Sequence, residues 1–361
     1  MRRLPIIFLI DVSESMVGEQ IQLVEEGLAT IIKELKTDPS SIETVWVSII
    51  VFAGQARTLV PLQEITAFYP PRFPIGSGTS LSQGLGQLMH ELRKNVKKTT
   101  YEQKGDWKPI VFLFTDGAPT DDASKAIEEW KNNWARTANM VAVSFGDEAS
   151  TRPLYQLTEN VLLFKNSNAD SYKKFFRWVT DSIKTSSESV ENSGSGFELT
   201  RLDESLFSKV EEKPYNPGYT VDDNYVVLAG KCQNTKRPYL IKYRKDIIPS
   251  SIPGMEYMTT KSYKLVGAYA VDNNYYDLSY EKPQKFSINT NELIGAPTCP
   301  CCGNQFGFAM CGCGDIHCIG LSNISHRDNP NPTESQCPSC NTRGMFGAGS
   351  DEGFNVDRTQ G

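Results

Sequence analysis

The sequence is short of histidine, with three in 361 residues, and it has no surplus of positive charge, its formal net charge being −6. The first shortage leaves few candidates for imidazole acid–base catalysis. The second removes any chain-wide electrostatic attraction to nucleic acid or to an anionic membrane surface. From residue 291 to the end there is no lysine, and only Arg327, Arg343 and Arg358 are basic. No apolar run approaches the roughly 18 residues of a membrane-spanning helix. Met1-Arg2-Arg3 followed by Leu4–Ile10 superficially resembles an export signal. It runs directly into Asp11-Val12-Ser13-Glu14-Ser15 without a small-residue cleavage site and reads better as a buried first strand, so a cytoplasmic location is expected. Cysteine is almost missing from the first 298 residues, where Cys232 stands alone.

Apolar material is ordinary in amount, at 39%, and the first 185 residues alternate strand and helix patterns. Leu4–Ile10, Thr44–Phe52, Ile110–Phe114, Met140–Phe145 and Val161–Phe164 read as strands, with Arg57–Leu62 paired to the second. Helices are predicted from Ile21 to Leu35 with a stop at Pro39, over Leu81–Val96, over Ala123–Trp134 and over Ser171–Ile183. This alternation predicts an α/β fold, a doubly wound, mostly parallel, Rossmann-like sheet with helices on both faces. Residues 186–196 are polar and Gly/Ser-rich and read as a linker. Residues 197–295 form a β-rich section, residues 296–342 hold the other eight cysteines, and residues 343–361 read as a flexible tail.

Two acidic loops follow predicted strands, Asp11-Val12-Ser13-Glu14-Ser15 and Thr115-Asp116-Gly117, and Gly76-Ser77-Gly78-Thr79-Ser80 precedes a helix. In an open α/β sheet such loops converge at the carboxyl ends of the strands. They supply two carboxylates and neutral oxygens, which is hard-cation chemistry and suits Mg²⁺. Ser13 and Ser15 could alternatively serve only as helix caps. Glu14, Asp121 and Asp122 read as solvated charges, and His90 as a structural residue within a helix.

The D-x-S-x-S, Gly-rich Thr and T-D-G elements resemble the metal-ion-dependent adhesion site of von Willebrand factor A domains. The resemblance assigns Asp11, Ser13, Ser15, Thr79 and Asp116 as ligands of one Mg²⁺, completed by an Asp or Glu carboxylate of a partner protein.

Cys299-Pro300-Cys301-Cys302 and Cys337-Pro338-Ser339-Cys340 are C-x-x-C turns, and Cys311, Cys313, His317 and Cys318 lie between them. A cysteine cluster in a chain without an export signal favours metal thiolates over disulfides. The expected pairing is Cys299, Cys302, Cys337 and Cys340 around one Zn²⁺, and Cys311, Cys313, His317 and Cys318 around another. His326 is an alternative to His317, a cross-braced order is another, and Cys232 is expected to be a buried thiol. Such sites provide on the order of 10–16 kcal/mol of apparent binding free energy, in a segment poor in aliphatic residues.

An N-terminal von Willebrand A domain with a C-terminal module of seven cysteines and a histidine resembles the TerY family of bacterial tellurium-resistance-associated proteins. The resemblance implies a cytoplasmic adaptor, not an enzyme, beside a Ser/Thr protein kinase and a metal-dependent protein phosphatase, with no nucleic acid or membrane partner. A metal-dependent phosphoryl hydrolase is the competing reading, and a RING-like ubiquitin-ligase module a third.

Overall fold

The computed structural model describes residues 2–116, 119–145, 153–164, 169–192, 200, 207–208, 221, 223–249, 259–281, 286–324, 329, 333–344 and 353–359. The chain divides into two compact units, Met1–Thr220 and Val221–Gly361.

The first unit is built on a seven-stranded sheet. Its strands are β1 (Leu4–Asp11), β2 (Val45–Phe52), β3 (Ala56–Glu64), β4 (Ile110–Thr115), β5 (Asn139–Ser144), β6 (Val161–Phe164) and β7 (Phe207–Ser208), in the order β3-β2-β1-β4-β5-β6-β7. β3 and β7 are antiparallel to their neighbours, while β2, β1, β4, β5 and β6 run parallel. All eight residues of β1 and all six of β4 are buried, as continuous apolar runs demand of strands covered on both faces. Alternation along β1 divides the two layers. Ile7 and Leu9 join the apolar faces of α3 (Leu81–Asn95) and α4 (Ser124–Asn133). Phe8 stacks on Phe112, and Phe114 meets Phe175 and Phe176 of the long helix α5 (Ala169–Asn192) edge-on.

Helix α1 (Glu19–Leu35) buries Ile21, Val24, Leu28, Ile31, Ile32 and Leu35, the positions the periodicity predicts. Pro39 does not simply stop it. Asp38 caps a second helix, α2 (Pro39–Thr44), by accepting from the Ser41 N–H, and Pro39 occupies the first turn, where no N–H is needed. The other difference concerns residues 186–192, expected to open a linker. They continue α5, with Ser186 and Ser187 fully buried and the Ser187 hydroxyl 2.6 Å from Thr44 Oγ1. Small hydroxyl side chains here let helices approach closely, a packing role that looks like linker composition in the sequence.

The second unit joins what the sequence separates. Its strands are β8 (Tyr225–Lys231), β9 (Pro238–Pro249), β10 (Thr259–Ala270), β11 (Phe286–Asn289), β12 (Leu293–Ile294), β13 (Phe306–Met310), β14 (Ile316–Ile319), β15 (Ser335–Gln336), β16 (Arg343–Gly344) and β17 (Asn355–Arg358). One six-stranded sheet, β12-β10-β9-β8-β14-β13, takes strands from both the β-rich section and the cysteine segment. They share one core, in which Val226, Tyr239, Ile241, Tyr243 and Tyr263 pack with Cys299, Ile316 and Cys318. The final strand, expected to be a frayed tail, pairs antiparallel with β11 and buries Val356. The Arg358 guanidinium donates to the Tyr225 carbonyl and the Thr359 N–H to that of Val227.

Gly27 of α1 marks the tightest helix contact of the first unit. A Cβ at this position would lie 2.0 Å from Cδ2 of Phe176, whose ring is fixed among Phe114, Tyr172 and Phe175. Gly27→Ala is therefore expected to destabilise the first unit by about 1–3 kcal/mol despite its better helix propensity, measured by urea unfolding under tryptophan fluorescence.

Candidate metal centres

The first centre lies where the winding of the sheet reverses. From β1 the chain crosses to β2 on one side and later returns to β4 on the other, so β1 and β4 are neighbours with their carboxyl ends together. Asp11 is the last residue of β1, and Asp116 follows β4 directly. The Gly76-to-Ser80 loop is drawn to the same place by main-chain contacts. Ser13 forms a parallel bridge with Gly76, and the Ser80 N–H donates to the Ala53 carbonyl at 2.7 Å.

Asp11, Ser13, Ser15, Thr79 and Asp116 are all buried, and hydrogen bonds chain most of them together. The Ser13 and Ser15 hydroxyls are 3.0 Å apart, and Ser15 Oγ donates to Asp116 Oδ1 at 2.8 Å. The Ser13 N–H donates to Asp11 Oδ1 at 2.9 Å. Thr115, beside Asp116, donates its hydroxyl to Asp11 Oδ2 at 2.6 Å and so ties the two acidic loops. Thr79 is held by its backbone. Its N–H donates to Thr120 Oγ1 at 2.8 Å, and its carbonyl accepts from the Thr120 N–H at 2.9 Å. Capping does not explain the serines. The short 3-10 turn Glu14–Met16 has no side-chain cap bond from Ser13, and α1 begins beyond it with Gly18 at its cap.

Two neighbours expected on the surface are not there. Glu14 is fully buried, and Asp121 is nearly so. Asp121 accepts from the Ser80 hydroxyl and from the Leu81 and Ser82 N–H groups, so it secures the start of α3 and with it the Thr79 loop. A carboxylate at a helix N-terminus is favoured by the helix dipole. Asp122 is exposed just before α4 and accepts from the Ser124 N–H and hydroxyl. His90 is exposed on α3, and Gly117 lies outside the described residues. The donor set is thus carboxylate and hydroxyl oxygen, without nitrogen or sulfur, and it fits a hard divalent cation.

The thiols form two groups that differ from the expected pairing. Cys232, Cys299, Cys302 and Cys318 form one, Cys311, Cys313, Cys337 and Cys340 the other, and within each the sulfurs lie within 4.8 Å of one another. Cys302 and Cys318 sulfurs are 3.7 Å apart, Cys232 and Cys318 3.8 Å, Cys311 and Cys340 3.6 Å, and Cys313 and Cys337 3.8 Å. A tetrahedral ion with metal–sulfur bonds of about 2.3 Å requires sulfur–sulfur edges of about 3.8 Å, which both groups fit. The two C-x-x-C turns do not share a site; each is completed from elsewhere. In chain order the groups interleave, because Cys311 and Cys313 stand between Cys302 and Cys318.

Strand register explains the exchange. β14 runs parallel to β8 with Ile316 opposite Gly230 and His317 opposite Lys231, so the next positions bring Cys318 beside Cys232. His317 and Cys318 are adjacent on one strand and face opposite sides of the sheet. His317 is fully buried, its burial disfavours the imidazolium, and it belongs to neither group of thiols. Cys301 joins neither group, and His326 lies outside the described residues.

Cys232 is the ligand candidate that motif reading missed, and its turn carries the signal. At Cys299 the N–H donates to the carbonyl five residues on, that of Asn304, and the carbonyl accepts from the Gly303 N–H four residues on. Cys337 repeats this with Thr342 and Asn341, and Cys232 with Arg237 and Lys236. The fourth residue after each cysteine, Gly303, Asn341 or Lys236, has positive φ. All three are therefore the same knuckle. In the Cys232 knuckle a threonine, Thr235, replaces the second cysteine, and its N–H donates to the Cys232 sulfur at 3.3 Å. Further donors surround Cys318, whose sulfur accepts from the Gln233 N–H at 3.3 Å and Asn304 Nδ2 at 3.5 Å.

Ionisation is uneven in both groups. Burial opposes thiolate formation at Cys232, but hydrogen bonds from Thr235, Cys302 and Asn234 outweigh it and bring the thiol down to about 7. Burial pushes Cys299 up strongly and Cys318 up to about 11. In the second group Thr342 hydrogen bonds pull Cys340 down to about 6. Several thiolates packed together need a cation between them, and a divalent ion meets that need.

These groups make different predictions from the motif pairing. Elemental analysis of the purified chain is expected to show one bound thiolate-site ion fewer per chain for Cys232→Ser and for Cys340→Ser. His317→Gln is expected to keep the full count, whereas the motif pairing requires it to lose one.

A von Willebrand factor type A domain model matches residues 6–178, and a TerY-C metal binding domain model matches residues 222–361. No curated protein matches the chain. Similar solved structures include the PilB minor pilin from Streptococcus sanguinis, at 13% identity over 51% of this chain and 61% of that chain, with a TM-score of 0.37. Proximal thread matrix protein 1 from the mussel byssus, with a zinc-occupied MIDAS motif, is 20% identical over 51% of this chain and 46% of that chain, with a TM-score of 0.36. An aerotolerance-related membrane protein from Bacteroides fragilis, carrying multiple mutations to serine, is 14% identical over 49% and 98%, with a TM-score of 0.33. The chain spans less than two thirds of the pilin and of the byssus protein. The two domain models match in order along the sequence, so the chain carries a von Willebrand factor type A domain followed by a TerY-C metal binding domain.

Proposed function

We propose that this protein is a metal-dependent protein-interaction adaptor that captures an acidic side chain of a partner protein. The observation that carries this reading is the convergence of Ser13, Ser15 and Asp116 oxygens, linked at 3.0 and 2.8 Å, beside the carboxylate of Asp11. Asp11, Ser13, Ser15, Thr79 and Asp116 would hold a Mg²⁺, which supplies an open coordination position for a carboxylate oxygen. The chain's own contribution is positioning. Thr115 and the Ser13 N–H fix the two oxygens of Asp11, Ser15 orients Asp116, and Asp121 with Thr120 keeps the Thr79 loop in place. Only two carboxylates belong to this ligand set, so a divalent ion there remains attractive to an incoming anion.

The thiol groups suit Zn²⁺, one ion in each, in a structural role, since four sulfurs leave no open position. Cys232, Cys299 and Cys318 are buried in the core of the second unit, so an ion among them would act as part of that core. A cytoplasmic setting agrees with nine reduced cysteines. Partners of the kinase and phosphatase class come from the TerY resemblance and belong to the same proposal.

With Mg²⁺ present, the immobilised chain is expected to retain a partner from host lysate, and Asp11→Ala or Asp116→Ala should reduce capture by about tenfold or more. Melting temperature should stay close to that of the parent chain. Unchanged capture by both variants would refute carboxylate capture at this site. A strong chelator at neutral pH is expected to unfold the second unit while leaving the helical circular dichroism of the first, because the thiolate ions contribute folding free energy of about 10–16 kcal/mol each.

A further inference from the structure

The opposite end of α3 from the oxygen site carries a second concave feature. A half-open cavity of about 600 Å³ is lined by the last turn of α3, the end of α4 and the segment leading into β4. Its size falls within the roughly 300–1,000 Å³ of small-molecule sites. Arg93, Lys97, Lys98 and Lys108 border it, and Trp107 and Trp134 contribute to its walls.

The charge is of one sign once existing pairs are counted. Asp106, the lining carboxylate, is already committed. Arg3 donates to it twice, at 2.8 and 2.5 Å, and the Lys97 N–H donates to it at 2.7 Å. Arg93 reaches Glu129 at 3.6 Å, an exposed and loose pair. Among the described residues no carboxylate lies within ion-pair distance of Lys97, Lys98 or Lys108. Three unpaired ammonium groups at one mouth, in a chain of net charge −6, form a local field that favours an anion.

The walls specify more than charge. Trp107 and Trp134 are among the lining residues, with Leu92, Val96 and Pro109, so the lining is mostly apolar. The site is also preformed. Arg2 lies over the Trp107 ring at 3.5 Å and donates to the Gly105 carbonyl, while the Asp106 N–H donates to the Lys97 carbonyl and the Lys97 N–H to the Asp106 carboxylate across the loop.

The geometry points to a small organic phosphate carrying a flat ring, the chemical class of nucleotides, with its ring against the indoles and its phosphates at the lysines. Aromatic faces stack sequence-tolerantly on bases, and ammonium groups hold phosphate as point charges. An acidic peptide would satisfy the lysines, but a concave pocket with a mostly apolar lining that includes two indoles suits a compact planar molecule better. This site is separate from the oxygen centre and does not depend on it.

Calorimetric titration of the full chain with ATP, AMP and ribose 5-phosphate tests the assignment. No Mg²⁺ is added, so that the oxygen site does not recruit phosphate, and an Asp116→Ala chain serves as control. One-to-one saturable binding of ATP is expected, unchanged in the control and weakened about tenfold or more by the double substitution Lys97→Glu and Lys108→Glu. Ribose 5-phosphate, lacking the flat ring, should bind about tenfold more weakly or worse. The assignment fails if no nucleotide saturates below millimolar concentration, if the charge-reversed chain binds equally, or if a glutamate-rich peptide binds more tightly than every nucleotide.

Discussion

Parallel pairing of strands that are far apart in sequence decides which side chains of this protein meet. β1 lies beside β4 across a hundred residues, and β8 beside β14 across more than eighty. The first pairing brings Asp11 to Asp116 through Ser15. The second brings Cys232 to Cys318, with sulfurs 3.8 Å apart. In a parallel ladder the register is set by burial on both faces, because a slip of one residue would turn every side chain over. Buried strands on each side of the first pair therefore fix the oxygen site as firmly as its own hydrogen bonds do.

The two chemistries are kept apart by ligand type. Oxygen donors converge at the carboxyl end of the first sheet. In the second unit the sulfurs of Cys232, Cys299, Cys302 and Cys318 merge with a core of tyrosines and aliphatic residues, so that group is part of the framework. The interleaved order of the cysteines means that the loop bearing Cys311 and Cys313 grows out of the strand that carries Cys318. The two groups thus share a single hairpin.

Where sequence reading and structure agree, the signal is local. Buried strands appear as apolar runs, α1 as a 3.6-residue rhythm, and the oxygen-rich loops around Asp11, Thr79 and Asp116 as three short motifs. Where they differ, the cause is a contact made at long range. The serines near the end of α5 look like linker residues until Thr44 is placed against Ser187. Val356 looks like part of a polar tail until β17 pairs with β11. Glu14 and Asp121 read as surface charge until the loops close over them.

By itself the sequence determined the α/β class of the first unit, its oxygen-rich loops and the presence of a cysteine-rich module, since composition, periodicity and short motifs are properties of neighbouring residues. Only the tertiary structure decided which cysteines stand together, that Cys232 joins them and His317 does not, that Phe207–Ser208 joins the first sheet, and that the middle section from residue 221 and the cysteine segment are one unit. The physical reason is register. A ligand's partners are set by which strands lie side by side and which face each residue turns to, and neither is encoded in the spacing of cysteines along the chain.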